Sequence, residues 1–384
     1  MKPLRSPFAP LKNVDWWVYL VAASLCLVSL VFLKSSTQDD PRFQAQFGKQ
    51  ALFAVIGLGV GVFCMLPHYV HALRLWWIAY GGTTLALLLL PVFGSIKNGS
   101  RRWYDLPGIS VQPSEFAKLG VVIGLAALLR FPRRPTFGNS LLAPGILAAI
   151  PAALVVIQPD LGSTLVFVPI VLAMSYAAGA KGRHIALVCA LGLLAFVVAY
   201  FTVMHEYQKE RIDYWALHWG WDPETAEVRT MLRGKAYQPW QALIAMGSGG
   251  MFGFGVGQGP QNRYDFLPYR SEDYIFAVVA EESGFVGSVA VLLLYATLVF
   301  GLLRIASRTR ERFGKLLCVG VAAWIGSQSM MHAAVCAWLV PSTGVPMPLL
   351  SYGGSSVLAT ILGIALCCNV SARRDPVLAG DGFR

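Results

Sequence analysis

Long apolar runs separated by short polar segments fill almost the whole chain. Runs of about 17 to 25 residues match the hydrocarbon thickness of a bilayer. The pattern predicts ten spans: Trp16 to Leu33, Gln50 to Leu66, Leu75 to Phe93, Ser114 to Leu129, Leu141 to Ile157, Leu161 to Ala178, Ile185 to Thr202, Tyr274 to Leu303, Leu316 to Leu339 and Leu349 to Val370. Pro144 and Pro151 suggest a bend in the fifth. The eighth is long enough to tilt or to sit half in a cavity. A polar stretch, Gly94 to Gln112, precedes the fourth span, and one large polar segment runs from His205 to Asp273. The expected fold is an all-α polytopic membrane protein. It forms a single unit, 1–384, with a large extracytoplasmic loop at 204–273. No internal repeat is evident, because the two prolines have no counterpart in the other half.

Composition agrees: the chain is 56% hydrophobic and 13% charged, which is not a soluble balance. The net charge of +11 would suit nucleic acid if it were concentrated on a polar domain. It is instead spread between the spans, so no nucleic-acid partner is expected. With both termini cytoplasmic, 17 Lys and Arg residues fall on inner segments and six on short outer loops. That bias sets the orientation. The first span follows Lys2, Arg5 and Lys12, is too long for a signal peptide and lacks a cleavage site. All seven cysteines lie in apolar runs without metal-type spacing and read as packing residues.

Four polar regions then converge on the outer face: 97–115, 158–160, the large loop and 342–356. Charged residues near or within spans mark function by default. Glu115 and Lys118 share a helix face and read first as a mutually neutralising structural pair. Arg101 and Arg102 suit phosphate, and Trp103 suits a sugar face or the interface. Asp160 reads as a cap for the sixth span. The glycines from 247 to 259 allow close backbone approach to a ligand, or turns. Trp215, Trp219, Trp221 and Trp240 suggest that parts of the loop lie on the membrane. Asp273 opens the eighth span, as either a first-turn acid or a catalyst, and Glu281 lies about two turns on along the same face. Pro341 to Pro348, with three prolines, is a rigid turn, and Ser351 to Ser356 reads as close helix packing.

Taken together, Arg101-Arg102-Trp103, Gln112 to Lys118, Gln158 to Ser163, Ala245 to Gly250, Asp273 to Phe276 with Ala280-Glu281-Glu282, and Pro341 to Ser356 resemble the SEDS family of cell-wall proteins in residues and in order. The resemblance implies a peptidoglycan glycosyltransferase of the bacterial cytoplasmic membrane. Such a protein polymerises lipid II into a growing glycan chain on the outer face, beside a class B penicillin-binding protein. It implies Asp273 as the essential acid, with Trp103, the Glu115–Lys118 pair and Glu281 carried along. A carboxylate there would take the proton of the attacking hydroxyl or hold a divalent cation, Mg or Mn. Arg101, Arg102, Lys209 and Arg211 lie on the correct side to meet the leaving pyrophosphate. Pyrophosphate leaves without protonation, so no second acid is needed, unlike a glycosidase.

Three positions depart from the family pattern: Tyr269 and Glu272 replace the usual Glu and Thr before the aspartate, and His332 stands where Asn is expected. Glu272 is expected to crowd Asp273 with like charge. The Met204 to Gln208 run is nearer RodA-like members, which serve elongation, than FtsW-like members, which serve division. A flippase of the lipid-linked precursor and a scaffold that only recruits the penicillin-binding protein are the alternatives of other classes.

Overall fold

Among the described residues, ten long apolar helices form where the hydropathy pattern places them. The computed structural model describes residues 9–37, 44–97, 100–131, 136–202, 204, 206–220 and 225–373. Lys2, Arg5, Arg42, Arg133, Arg134, Arg374 and Arg384 of the charge count, His205 at the start of the large loop, and Trp221 lie outside them. In chain order the helices are α1 (Trp16–Thr37), α2 (Gln44–Cys64), the short α3 (Val70–Arg74), α4 (Trp76–Phe93), α5 (Pro113–Leu129), α6 (Ala143–Ile157), α7 (Leu161–Ala177), α8 (Gly182–Thr202), α9 (Glu206–His218), α10 (Ala226–Arg233), α11 (Tyr237–Ser248), α12 (Pro260–Arg263), α13 (Ile275–Arg308), α14 (Arg312–Cys336) and α15 (Gly354–Ala372). Among the described residues, eight helices are long and apolar enough to cross a membrane. The other two spans, α5 and α7, have 17 residues each, about 26 Å at the helical rise.

The bundle is layered by burial. α5, α14 and α15 form its centre, α7 packs on α5 and α14, and α13 lies along α14. Nearly every residue of α5 is buried, its charged pair included. α8 buries none and stands at the periphery. Five of the seven cysteines are buried and none is disulfide-bonded, as packing residues should be.

Two features differ from a purely helical expectation. The polar stretch before α5 folds as a three-stranded antiparallel meander, β1 (Ser95–Lys97), β2 (Ser100–Leu106) and β3 (Ile109–Val111). Its second turn uses Gly108 at φ 80°, where a side chain would be strained. Strands can form here because the segment lies beyond the apolar run of α4 and pairs its own backbone. The large outer segment is likewise built of helices, α9 to α12. Trp215 and Trp240 are partly buried and pack with Val228 and Leu232 around the buried Trp338. Trp219 is exposed.

α13 is 34 residues long, yet it is broken at Gly284, with φ 66° and ψ −163°. A break at 284 frees the carbonyls of Glu281 and Glu282 and the N–H groups of Phe285 and Val286, which would otherwise pair at i, i+4. The glycine-rich segment 250–255 takes all four. Phe254 and Gly255 N–H donate to Glu281 and Glu282 carbonyls (3.1 and 2.9 Å), and Phe285 and Val286 N–H donate to Gly250 and Met251 carbonyls (2.8 and 3.1 Å). This is irregular backbone at membrane depth satisfied by protein, the condition under which it is tolerated. The glycine run therefore serves close approach to a helix. A Cβ at Gly249 would lie 2.0 Å from the Ala280 carbonyl, and one at Gly253 would lie 2.2 Å from that of Glu282.

Candidate functional site

The four polar regions enclose one cavity of about 1090 Å³ at the outer end of the bundle. Its walls come from β2 and β3, the turn before α7, α9, the segment before α13, the turn between α14 and α15, Lys49 and Phe53 of α2, and the first residues of α15. Asp273, Asp160, Trp103, Arg102 and Arg211 all line it. Segments far apart in sequence thus place two carboxylates, two guanidinium groups and an indole on one space.

Asp273 sits one residue before the N-cap of α13. Its backbone is fixed on both sides: its N–H donates to the Tyr269 carbonyl (3.0 Å), and Tyr352 N–H donates to the Ser271 carbonyl (2.8 Å). Ser351 Oγ adds a bond to the Glu272 carbonyl (2.6 Å). Burial raises the Asp273 carboxyl to about 6, the Asp160 charge adds to the rise, and Arg211 and Arg102 oppose it. The like charge acting on Asp273 is therefore Asp160, a correction to the expectation placed on Glu272, whose side chain also lines the cavity. Asp160 caps α7 by accepting the Ser163 N–H (3.1 Å), so one carboxylate both starts a helix and faces the cavity.

The arginines are held by carbonyls. Arg102 Nε donates to Gln158 O (2.9 Å) and its Nη2 to Pro159 O, tying the small sheet to the Asp160 turn. Arg211 Nη1 donates to Ser342 O (3.1 Å), tying α9 to the proline-rich turn. Arg101 and Lys209 do not line the cavity. Arg101 reaches back to the Pro91 carbonyl, and Lys209 pairs with Glu206 (3.4 Å) on an exposed face.

Two other predicted groups lie beneath the site. Lys118 Nζ donates to Glu115 Oε1 (2.7 Å) and to Gln328 Oε1 (2.8 Å), and stands over the Trp324 ring at 5.5 Å. Gln328 Nε2 donates onward to Pro346 O (2.7 Å). The pair is thus structural in its contacts, yet it is wired to the cavity turn. Glu281 is fully buried away from the cavity and accepts the N–H groups of Gln261 (2.6 Å) and Asn262 (3.2 Å). Glu282 beside it accepts from Asn262 Nδ2 (2.6 Å) and from Ser35 Oγ. These acids anchor the strand of chain that leads to Asp273.

Sequence reasoning missed Lys49, Gln208 and Tyr269, which line the cavity, and undervalued 341–356. The sequence pattern there suggests a turn and packing surface, but Ser342, Thr343, Gly344, Pro346 and Tyr352 to Ser356 form a wall of the cavity. The available signal was its density of hydroxyls beside three prolines, a rigid polar surface. His332 Nδ1 contacts the Val345 carbonyl (2.7 Å) beneath this wall, a packing role for the residue that departs from the family pattern. Among the described residues, no group of three His, Cys, Asp or Glu side chains converges as a metal site.

The profile of the FtsW/RodA/SpoVE family, described as cell cycle protein, matches residues 14–375. Peptidoglycan glycosyltransferase MrdB of Escherichia coli (strain K12) is 32% identical over 378 residues, covering 97% of this chain and 97% of that protein. A crystal structure of the Thermus thermophilus rod shape determining protein RodA matches with a TM-score of 0.69 at 28% identity, covering 94% of this chain and 97% of that one. A structure described as the structural coordination of polymerization and crosslinking by a peptidoglycan synthase complex matches with a TM-score of 0.77 at 28% identity, covering 94% of this chain and 99% of that one.

Proposed function

This chain belongs to the FtsW/RodA/SpoVE family and is a multi-pass membrane peptidoglycan glycosyltransferase, and on that premise we propose that it polymerises lipid II at the outer cavity with Asp273 as the general base. The observation that carries the assignment is the convergence of Asp273 with Arg102 and Arg211 on one cavity. The acceptor hydroxyl gives its proton to the Asp273 carboxylate as its oxygen attacks the anomeric carbon of the donor. The bond from that carbon to the pyrophosphate oxygen breaks, and the electron pair leaves with the pyrophosphate. Arg102 and Arg211 meet the developing charge, already oriented by their carbonyl partners. Trp103 offers a flat apolar face to a sugar ring. A carboxyl near 6 is well placed for a base, being largely ionised at neutral pH while still accepting a proton readily.

A divalent cation fits the same groups. Mg or Mn commonly takes one or two protein carboxylates and completes its shell with phosphate oxygens and water. Asp273 and Asp160 would supply the former and the substrate pyrophosphate the latter; when bound, the ion would neutralise charge on the leaving group. A crosslinking partner of the class B penicillin-binding type is supported by the similarity to a synthase complex that couples polymerisation to crosslinking. The elongation role rests on the RodA-like run at 204–208, and a division role is compatible with the same family.

The test is polymerisation of labelled lipid II by the purified protein with its partner, wild type against Asp273→Ala, with and without a chelator. Loss of a general base should cost about 10²- to 10⁴-fold in rate. Loss in the mutant alone supports proton transfer, and loss with chelator as well supports metal ligation. Equal polymer from both proteins would remove Asp273 as catalyst and favour transport or scaffolding.

A further inference from the structure

The reaction just described uses the cavity wall around Asp273 and leaves another wall, made by α2 and α15, without a role. α15 begins at Gly354, and its N-cap residue, Gly353, has no side chain to cap it. The Gly353 N–H is taken by Gln50 Oε1 (3.1 Å). The N–H groups at 354–356 have no carbonyl one turn earlier within the helix. Gly353, Gly354, Ser355 and Ser356 all line the cavity, so the positive end of a 19-residue helix faces it.

Two further observations point to a ligand there. Ser356 lines the cavity, is 5% exposed, and its Oγ is buried without a hydrogen-bond partner, whereas the neighbouring Ser355 Oγ is engaged by the Gln112 N–H at 2.9 Å. An unpaired buried hydroxyl costs about 1–3 kcal/mol, and Ser356 Oγ shares that state with Thr343 Oγ1, which lines the same cavity. Lys49 also lines the cavity, is exposed, and has no ion pair or hydrogen bond among the described residues. Its place beside the helix end follows from packing. Phe53 lies against Gly354 so closely that a Cβ there would be 2.5 Å from the ring, and Lys49 is four residues before Phe53 on the same face of α2.

We infer that the N-terminus of α15, Ser356 Oγ and Lys49 form a second anion subsite, which holds the pyrophosphate of the second lipid-linked substrate. This rests on the glycosyltransferase reading and extends it. Polymerisation joins two molecules that each carry a pyrophosphate. The donor's leaves from the reacting carbon and belongs beside Asp273, where Arg102 and Arg211 are. The acceptor's survives the step and sits at the far end of the acceptor's sugars from the attacking hydroxyl. An enzyme that holds both substrates in register therefore needs a second set of anion-binding groups besides Arg102 and Arg211, and the α2–α15 wall of the same cavity offers one.

The test uses the full-length protein in nanodiscs. In an Asp273→Ala background, which cannot turn over, labelled lipid II should bind in two classes. Lys49→Ala and Ser356→Ala should each weaken one class about tenfold, the scale of one charge-assisted hydrogen bond, and leave the other unchanged. Lys49→Arg should restore it. With Asp273 intact, Lys49→Ala should raise KM for lipid II about tenfold with kcat within about twofold, whereas a merely structural loss, which removes active enzyme, would lower kcat and leave KM unchanged. A single class of sites, indifferent to both substitutions, would overturn the second subsite while leaving the enzyme assignment standing. Failure of the wild type either to bind or to polymerise lipid II would instead overturn the assignment on which it rests.

Discussion

Asp273 carries a proton balance that can be read in both stability and rate. Its carboxyl titrates near 3.9 in an unfolded chain and at about 6 in the fold, because burial and the Asp160 charge disfavour the anion. Between those values the folded state holds more protons, so this group's contribution is fully favourable below about pH 4 and is lost as pH rises through 6. Asp273→Asn should therefore raise the melting temperature at pH 7.5, by an effect of about 2 kcal/mol after allowing for the wet cavity, and leave it unchanged near pH 4. A thermal-shift series across that range checks it. The acid limb of kcat/KM should fall near pH 6, and Asp160→Asn, which keeps the helix cap, should move it only part of the way down, since burial is the larger cause. Asp273 at the mouth of an apolar run is open between a first-turn acid and a catalyst, and the family resemblance implies the second; its position was legible in the sequence. Its neighbours were not: Glu272 adjoins it in sequence, but the charge that acts on it comes from Asp160, in another turn.

At the scale of elements, α13 shows why a hydropathy pattern is a partial guide. The apolar run reads as one long helix, and the structure breaks it at Gly284 to receive the 250–255 segment. A Cβ at Gly284 would lie 2.4 Å from the Gly253 nitrogen, and the residue holds φ 66°. Gly284→Ala should thus cost more than the roughly 1 kcal/mol of an ordinary glycine replacement in a strained conformation, and about 3 kcal/mol is expected from the added clash. Because Glu281 and Glu282 in the same turn anchor Gln261 and Asn262, polymer synthesis should fall with it even though Gly284 lies off the cavity. Glycan synthesis by the solubilised, still monodisperse variant is the measurement. Seven glycines from 247 to 259 announced close approach in the sequence; that the approach is to a helix required the fold.

Across the whole molecule, one polar chain links the buried centre to the site. Lys118 on α5 holds Glu115 and Gln328, and Gln328 on α14 holds the Pro346 carbonyl in the cavity wall. Lys118→Met leaves Glu115 as an uncompensated buried charge, a loss of about 3–5 kcal/mol. Adding Glu115→Gln should recover most of the stability but not the polymerisation rate, because Gln328 still lacks the cation that orients it. Melting and activity measured on the single and double variants separate the two effects. The spacing of Glu115 and Lys118 exposed the pair in the sequence, but its connection to Pro346, over 200 residues away, had no local signature.

By itself the sequence determined the membrane class, the ten spans and the polar face, and it placed an acid, Asp273, at the mouth of an apolar run, whose role only the family resemblance implied. Each follows from interactions local in the chain: the length of an apolar run against a bilayer, the sign of its flanking charges, and the cost of a carboxylate at its end. Only the tertiary structure decided which polar groups share the cavity. It sent Arg101, Lys209 and Glu281 elsewhere, brought in Lys49, and made the rigid proline-rich turn and the start of the last helix a wall of the cavity. Those outcomes depend on which helix ends meet when the bundle packs, and hydrophobic packing between helices carries no record in any one segment of what its far partners will be.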